Sequence, residues 1–195
     1  MHHQLDIVSD QYTLTATRQS TVLATLLSSN PMIQTSRGKI SELGLEPEIF
    51  EEEKSIGGGP HKGNATFNWA AQTLLFSRGS KTSLPADTQD SLSFMYQLSQ
   101  YLKPPISKEF FSLPISDGDH LEQTRIEIGN AEDVDTPMGK LRALHLRKMH
   151  ALGEAYFEIW LGLEYRLLPV KIRQLDSSEK LTEEFVISDI RAADE

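Results

Sequence analysis

No cysteine occurs among the 195 residues. That excludes disulfides, thiolate nucleophiles and cysteine-based zinc sites. It suits any compartment and leans only slightly towards an exported chain. Basic residues are also scarce: 19 Lys and Arg face 28 Asp and Glu, a formal net charge of −9. Nucleic-acid phosphates demand basic surface, so nucleic acid is not an expected partner. The same deficit argues against docking on anionic lipid through a polybasic patch. No run of about eighteen apolar residues is present, so no transmembrane segment is read. Met1-His2-His3-Gln4 lacks the apolar core of a signal peptide. Fixed-period repeats and low-complexity segments are missing too.

What is present suits one soluble globular domain spanning 1–195, with 38% hydrophobic residues and a mean hydropathy of −0.36. A chain of this length buries roughly 70% of its unfolded surface and needs no staple. Residues 1–11 are read as a cloning remnant followed by a truncated first strand, and 191–195 as a frayed tail. Acidic residues gather in Glu42–Glu53 and Glu179–Glu195, which read as solvated edges.

The segment Asn64–Leu102 says most about architecture. Ala65–Trp69 and Thr73–Ser77 are rich in Thr and aromatics and flank Ala70-Ala71-Gln72, a hairpin pattern. Leu84-Pro85-Ala86-Asp87 then leads into a helix expected over Thr88–Leu102. Its polar residues Gln89, Ser93, Gln97 and Gln100 form one narrow stripe. Leu92, Phe94, Met95, Leu98, Tyr101 and Leu102 cover most of the remainder. A helix so apolar cannot lie on a surface and needs a wrapper. No other segment reads as a helix, so the wrapper is expected to be sheet.

Strand patterns recur every eight to twelve residues. Tyr12–Thr17 alternates cleanly. Val22–Ser28 and Met32–Leu43 flank the turn Ser29-Asn30-Pro31, and Gly38 marks a candidate bulge. Ile49–Lys54 reads as a polar sheet edge, and Ile56–Gly63 as a flexible glycine loop. Lys103-Pro104-Pro105 ends the helix. Further strands are expected at Glu109–Ile115, Leu121–Ile128, Lys140–Lys148, Tyr156–Leu163, Leu167–Leu175 and Phe185–Ile190, with a turn at Thr136-Pro137-Met138-Gly139. The fold class expected is mainly β: a large curved antiparallel meander, half-barrel or open barrel, wrapped around one central helix at about 88–102. An open sheet of that size must curl or split.

Several pieces occur together in order. They are Phe67-Asn68-Trp69; Leu84-Pro85 with Gln89-Asp90-Ser91-Leu92-Ser93; Thr136-Pro137-Met138-Gly139; Leu144-His145-Leu146; and Trp160-Leu161 before Leu168-Pro169-Val170-Lys171-Ile172. The ordered set, from about Tyr12 to Ile190, resembles the bacterial family known as domain of unknown function 3108. The resemblance implies an all-β, exported protein of Gram-negative bacteria with a periplasmic or envelope location. It carries no catalytic residues. Family members usually begin with a signal or anchor and a glycine-containing first strand; here only Leu5-Asp6-Ile7-Val8 stands for that strand.

The chemistry-bearing motifs read more simply as structure. Gly57-Gly58-Gly59-Pro60-His61-Lys62-Gly63 is not a phosphate loop: Pro60 removes a donor, and a strand follows rather than a helix. His145 and His150 lie an odd number of residues apart, so in one strand they point to opposite faces. His120 follows Asp117-Gly118-Asp119, too short for a calcium loop. No metal and no cofactor are expected. The nucleophile elbow of many hydrolases is missing. Asp87 and Asp90 read as helix caps at N-cap and N3.

The leading reading is a non-enzymatic envelope protein that holds a lipid or other apolar ligand between sheet and helix. The expected lining is Phe94, Met95, Leu98 and Tyr101 from the helix, with Trp69 and Trp160 from the sheet. The alternative is an adaptor that takes another envelope protein at a sheet edge, with Glu48–Lys54 as the edge. A hydrolase using His145 or His120 with neighbouring acids is a third reading.

Overall fold

The structure, a computed structural model, describes residues 1–18, 32–56, 59–102 and 109–191. The expected strand Val22–Ser28, its turn Ser29-Asn30-Pro31, Gly57-Gly58, Lys103-Pro104-Pro105 and the last residues of the tail lie outside them.

Among the described residues the chain is mainly β, with a single short α-helix. Strands β1 (His2–Val8), β2 (Gln11–Arg18), β3 (Met32–Ser41), β4 (Gly44–Ile56), β5 (Gly59–Asn68), β6 (Thr73–Phe76) and β7 (Lys81–Ser83) form one sheet in sequence order. Strands β8 (Gln89–Asp90), β9 (Phe110–Ser116), β10 (Leu121–Thr136), β11 (Gly139–Lys148), β12 (Tyr156–Gly162), β13 (Leu168–Leu175) and β14 (Leu181–Val186) form the other. The meander is thus split into two sheets, and the second curls into a half-barrel. Helix α1 spans Ser93–Tyr101. By backbone contacts the chain divides into two compact units, Met1–Gln97 with Leu113–Gln123, and Leu98–Ser112 with Thr124–Glu195.

Within the first unit, period-two alternation sends Leu14, Phe50, Ala65 and Phe76 to one face. They form a single cross-strand row, Leu14–Ser36–Phe50–Ala65–Phe76. All five residues are buried. Gly38 does mark a bulge: the β3–β4 register shifts there, and a Cβ at Gly38 would lie 2.1 Å from the Glu46 carbonyl oxygen.

Four expectations are overturned in this unit. Glu48–Lys54 is not an edge, because β4 lies between β3 and β5. The run of glutamates reads as an edge by charge, yet Arg37 and Lys62 pair with Glu51 and Glu53 across the strands. The expected glycine loop is largely strand, since Gly59–Asn68 pairs with β4 down to Ile56 opposite Gly59. The helix starts later than expected, because Gln89–Asp90 pairs in parallel with Ile115 and Ser116. Asp90 is the true cap: its Oδ1 accepts from the Leu92 and Ser93 backbone N–H groups at 2.9 and 2.7 Å. Asp87 does not cap; it sits in the left-handed region at φ 60°. At the other end of the chain, the strand expected at Phe185–Ile190 lies earlier, at Leu181–Val186.

Of the polar stripe only Gln100 is exposed. Gln89, Ser93 and Gln97 are buried. The Gln97 amide donates to the Leu43 carbonyl at 2.6 Å, and its Oε1 accepts from the Leu45 N–H at 2.8 Å. Gln89 donates to the Leu45 carbonyl at 2.8 Å. The two glutamines thus clamp the start of β4. Gly44, at φ +104°, is required there: a Cβ would lie 2.2 Å from Gln97 Oε1. Gln97→Ala leaves two backbone groups unpaired and is expected to cost about 1–3 kcal/mol. Urea melts of the variant check this; an effect no larger than that of an exposed residue would mean the clamp contributes nothing.

Candidate functional site

The densest grouping of polar and aromatic side chains lies on one face of the curled sheet, within the second unit. The register explains it. The residue row Ile128–Leu146–Ile159–Ile172–Phe185 crosses β10 to β14 on one face. One position along, the alternation reverses faces. There the row Glu127–Arg147–Glu158–Arg173–Glu184 runs across the same five strands. The sign of the charge alternates at every step of this register. Arg173 Nε lies 2.5 Å from Glu184 Oε2, and Lys171 adds a contact at 3.3 Å. Hydrogen bonding to Arg173 holds the Glu184 carboxyl below the usual carboxylate range.

Trp160 stands beside this row. The His145 ring stacks on its indole with centroids 4.5 Å apart, and Lys171 and Arg173 lie 5.0 and 5.3 Å from the indole centre. Its Nε1 donates to Glu132 at 2.5 Å. Beneath it Val134, Leu141, Ala143 and Val170 form an apolar cluster, with Tyr165 and Ile187 packed against it. Trp160 is 4% exposed.

His145 Nε2 lies 3.4 Å from Glu158 Oε1 without an aligned hydrogen bond. That is beyond the reach expected of a catalytic pair, about 2.6–3.2 Å. His150 does not take the opposite face as expected, because β11 ends at Lys148. It stacks instead on Tyr156, which shares the Trp160 face of β12, with centroids 4.0 Å apart.

A second polar grouping lies in the first unit, around the His120 that the third reading set beside neighbouring acids. His61 Nε2 lies 2.9 Å from Asp119 Oδ2. Asp119 Oδ1 is buried without a hydrogen bond, and Arg78 Nε is 3.9 Å away. Phe76, Arg78, Ser80, Asp119 and His120 line a small open cleft there. The pair depends on close backbone approach, since a Cβ on Gly118 would lie 3.1 Å from the Asn64 nitrogen. Among the described residues no group of three or more ligating side chains is placed to hold a metal.

The expected ligand-lining residues fall in different places. Trp69 is in the first unit, stacked on Phe67 at 6.1 Å, with its Nε1 donating to the Pro47 carbonyl at 2.7 Å. Phe94 and Met95, also in the first unit, are buried on α1. Leu98 and Tyr101 belong to the second unit; Leu98 is fully buried, and Tyr101 stacks on Phe111 at 5.4 Å. Trp160 shares that unit but lies on the sheet face opposite Ile159 and Leu161.

A family model described as "Protein of unknown function (DUF3108)" matches residues 2–181. The chain belongs to this family. The match spans both sheets, so the DUF3108 family corresponds to the two-sheet architecture and not to either half. No curated protein and no solved structure matches the chain. Among the described residues no helix is long and apolar enough to cross a membrane.

Proposed function

We propose that this DUF3108 protein is a non-enzymatic component of the Gram-negative envelope, located in the periplasm, that holds an apolar ligand. The observation that carries the reading is the two-faced curled sheet. On one face acidic and basic residues alternate in register across five strands, and Arg173 pairs with Glu184, a cross-strand pattern that serves register rather than a reaction. The other face is aliphatic and buried, with Ile126, Leu144, Leu146, Ile159 and Leu161 at most 7% exposed. With Leu98 and Tyr101 from the same unit, it supplies apolar side chains that would line a ligand site when helix and sheet part. The location rests on the likeness to a family whose members are mostly exported.

Purified protein should carry extractable lipid, or bind a fluorescent fatty-acid analogue with saturation. Ile172→Glu, at a half-buried position in the aliphatic row, should weaken that binding while preserving the circular-dichroism spectrum. No co-purifying lipid and no saturable binding would overturn the reading. An adaptor that takes a partner strand is the second reading, favoured by the open edge that β1 presents.

A further inference from the structure

We infer that β1 is a pairing edge for a second copy of this chain, with the two strands antiparallel about Leu5. The inference rests on the edge-pairing reading and names its partner. β1 is the terminal strand of its sheet, and Gln4 to Val8 are all exposed. Natural edges are blunted by lysine, proline, bulges or shortness, because a bare edge templates further pairing. The other edges follow that rule. β7 has three residues and begins with Lys81. β8 has two. β14 carries a register shift and the charged pair Glu183-Glu184.

β1 has none of these devices. It pairs with β2 over seven consecutive residues without a shift. Its single charge, Asp6, accepts from the Gln4 amide at 2.9 Å. His3 Nδ1 lies 2.8 Å from the Tyr96 hydroxyl, so the strand is tied to helix α1 and does not hang free.

The side chains point the same way. Leu5 and Ile7 pair with Leu14 and Tyr12, so they lie on the core face of the sheet. Leu14 and Tyr12 are 0% and 2% exposed, yet Leu5 and Ile7 are 40% and 56% exposed. The apolar face therefore continues one strand beyond its cover. An added strand with apolar residues on that face would complete it. The sequence of β1 supplies one. With Leu5 opposite Leu5, Gln4 faces Asp6 and His3 faces Ile7, and no like charges meet. Two chains of net charge −9 repel at long range, so added salt should strengthen the pairing. A basic partner strand would instead be weakened by salt.

The absence of native cysteine makes the test direct. In the full chain, Leu5→Cys should form an intermolecular disulfide under mild oxidation several-fold faster than Val8→Cys, which faces His2 in this register. Sedimentation equilibrium of the unmodified chain should show a concentration-dependent doubling of mass that increases with salt. Leu5→Lys should abolish the doubling while keeping the thermal melt cooperative. A monomer at all concentrations, or equal cross-linking at the two positions, would overturn the inference. Capture of a different envelope protein by a photoreactive residue at Leu5, without self-cross-linking, would overturn the second copy as partner and leave edge pairing standing.

Discussion

Leu98→Ala is expected to destabilise the protein by about 2–5 kcal/mol, the largest effect of any single truncation considered. Leu98 is fully buried. Phe94 and Leu102, one turn away on either side, are buried with it. The helix has nine residues, too few to be stable alone, so it persists through what its side chains pack against. Truncation removes transfer energy and leaves a cavity that a short, tied helix cannot close. The denaturant midpoint should fall with the m-value unchanged. A loss below about 1 kcal/mol would place Leu98 among ordinary surface residues and would contradict its burial.

Most strands were legible because period-two alternation is strong where one face is apolar. Tyr12-Thr13-Leu14-Thr15-Ala16 and Tyr156 to Leu161 both read correctly from their pattern. The helix was misjudged for a specific reason. Gln89 and Ser93 fit a helical stripe, but Gln89-Asp90 completes a sheet edge against Ile115-Ser116, a partner about 25 residues away that no local pattern announces. Glutamine is usually exposed, yet Gln89 and Gln97 of the same stripe are buried. Their burial follows from backbone groups at Leu43 and Leu45 that need partners.

The polar groupings were less legible still. The alternating ladder from Glu127 to Glu184 exists only once five strands are in register, and its members are scattered over nearly 60 residues. Trp160 stood out as an aromatic, but the sheet face it takes depends on the parity of its strand against Ile159 and Leu161. His61 and Asp119 are brought together by two hairpins meeting at glycines. Tertiary pairing, not local propensity, decides all three.

The buried carboxylate of Asp90 carries the second large prediction. Asp90 is fully buried. Its Oδ2 accepts from the Ser36 hydroxyl at 2.5 Å, and Ser36 is 2.9 Å from the Tyr12 hydroxyl. One carboxylate therefore joins β2, β3 and the start of α1. Asp90→Ala removes the cap, leaves two N–H groups without partners and leaves the Ser36 hydroxyl with Tyr12 alone, at an expected cost of about 2–4 kcal/mol. Asp90→Asn is a different experiment. Its Oδ1 can keep both backbone bonds, while its amide donates to Ser36, whose hydroxyl turns towards Tyr12. Burial outweighs the hydrogen bonds and raises the Asp90 carboxyl from 3.8 to about 6. A folded-state value above the unfolded one means the folded protein holds the proton more tightly, so stability falls as pH rises between those two values. The charged form then opposes folding by up to about 3 kcal/mol above pH 6. Stability of the native chain relative to Asp90→Asn should decline from pH 4 to pH 6 and level off above. Parallel pH profiles for the two proteins would show that Asp90 does not titrate in this window and that the hydrogen bonds from Ser36, Leu92 and Ser93 fully offset its burial.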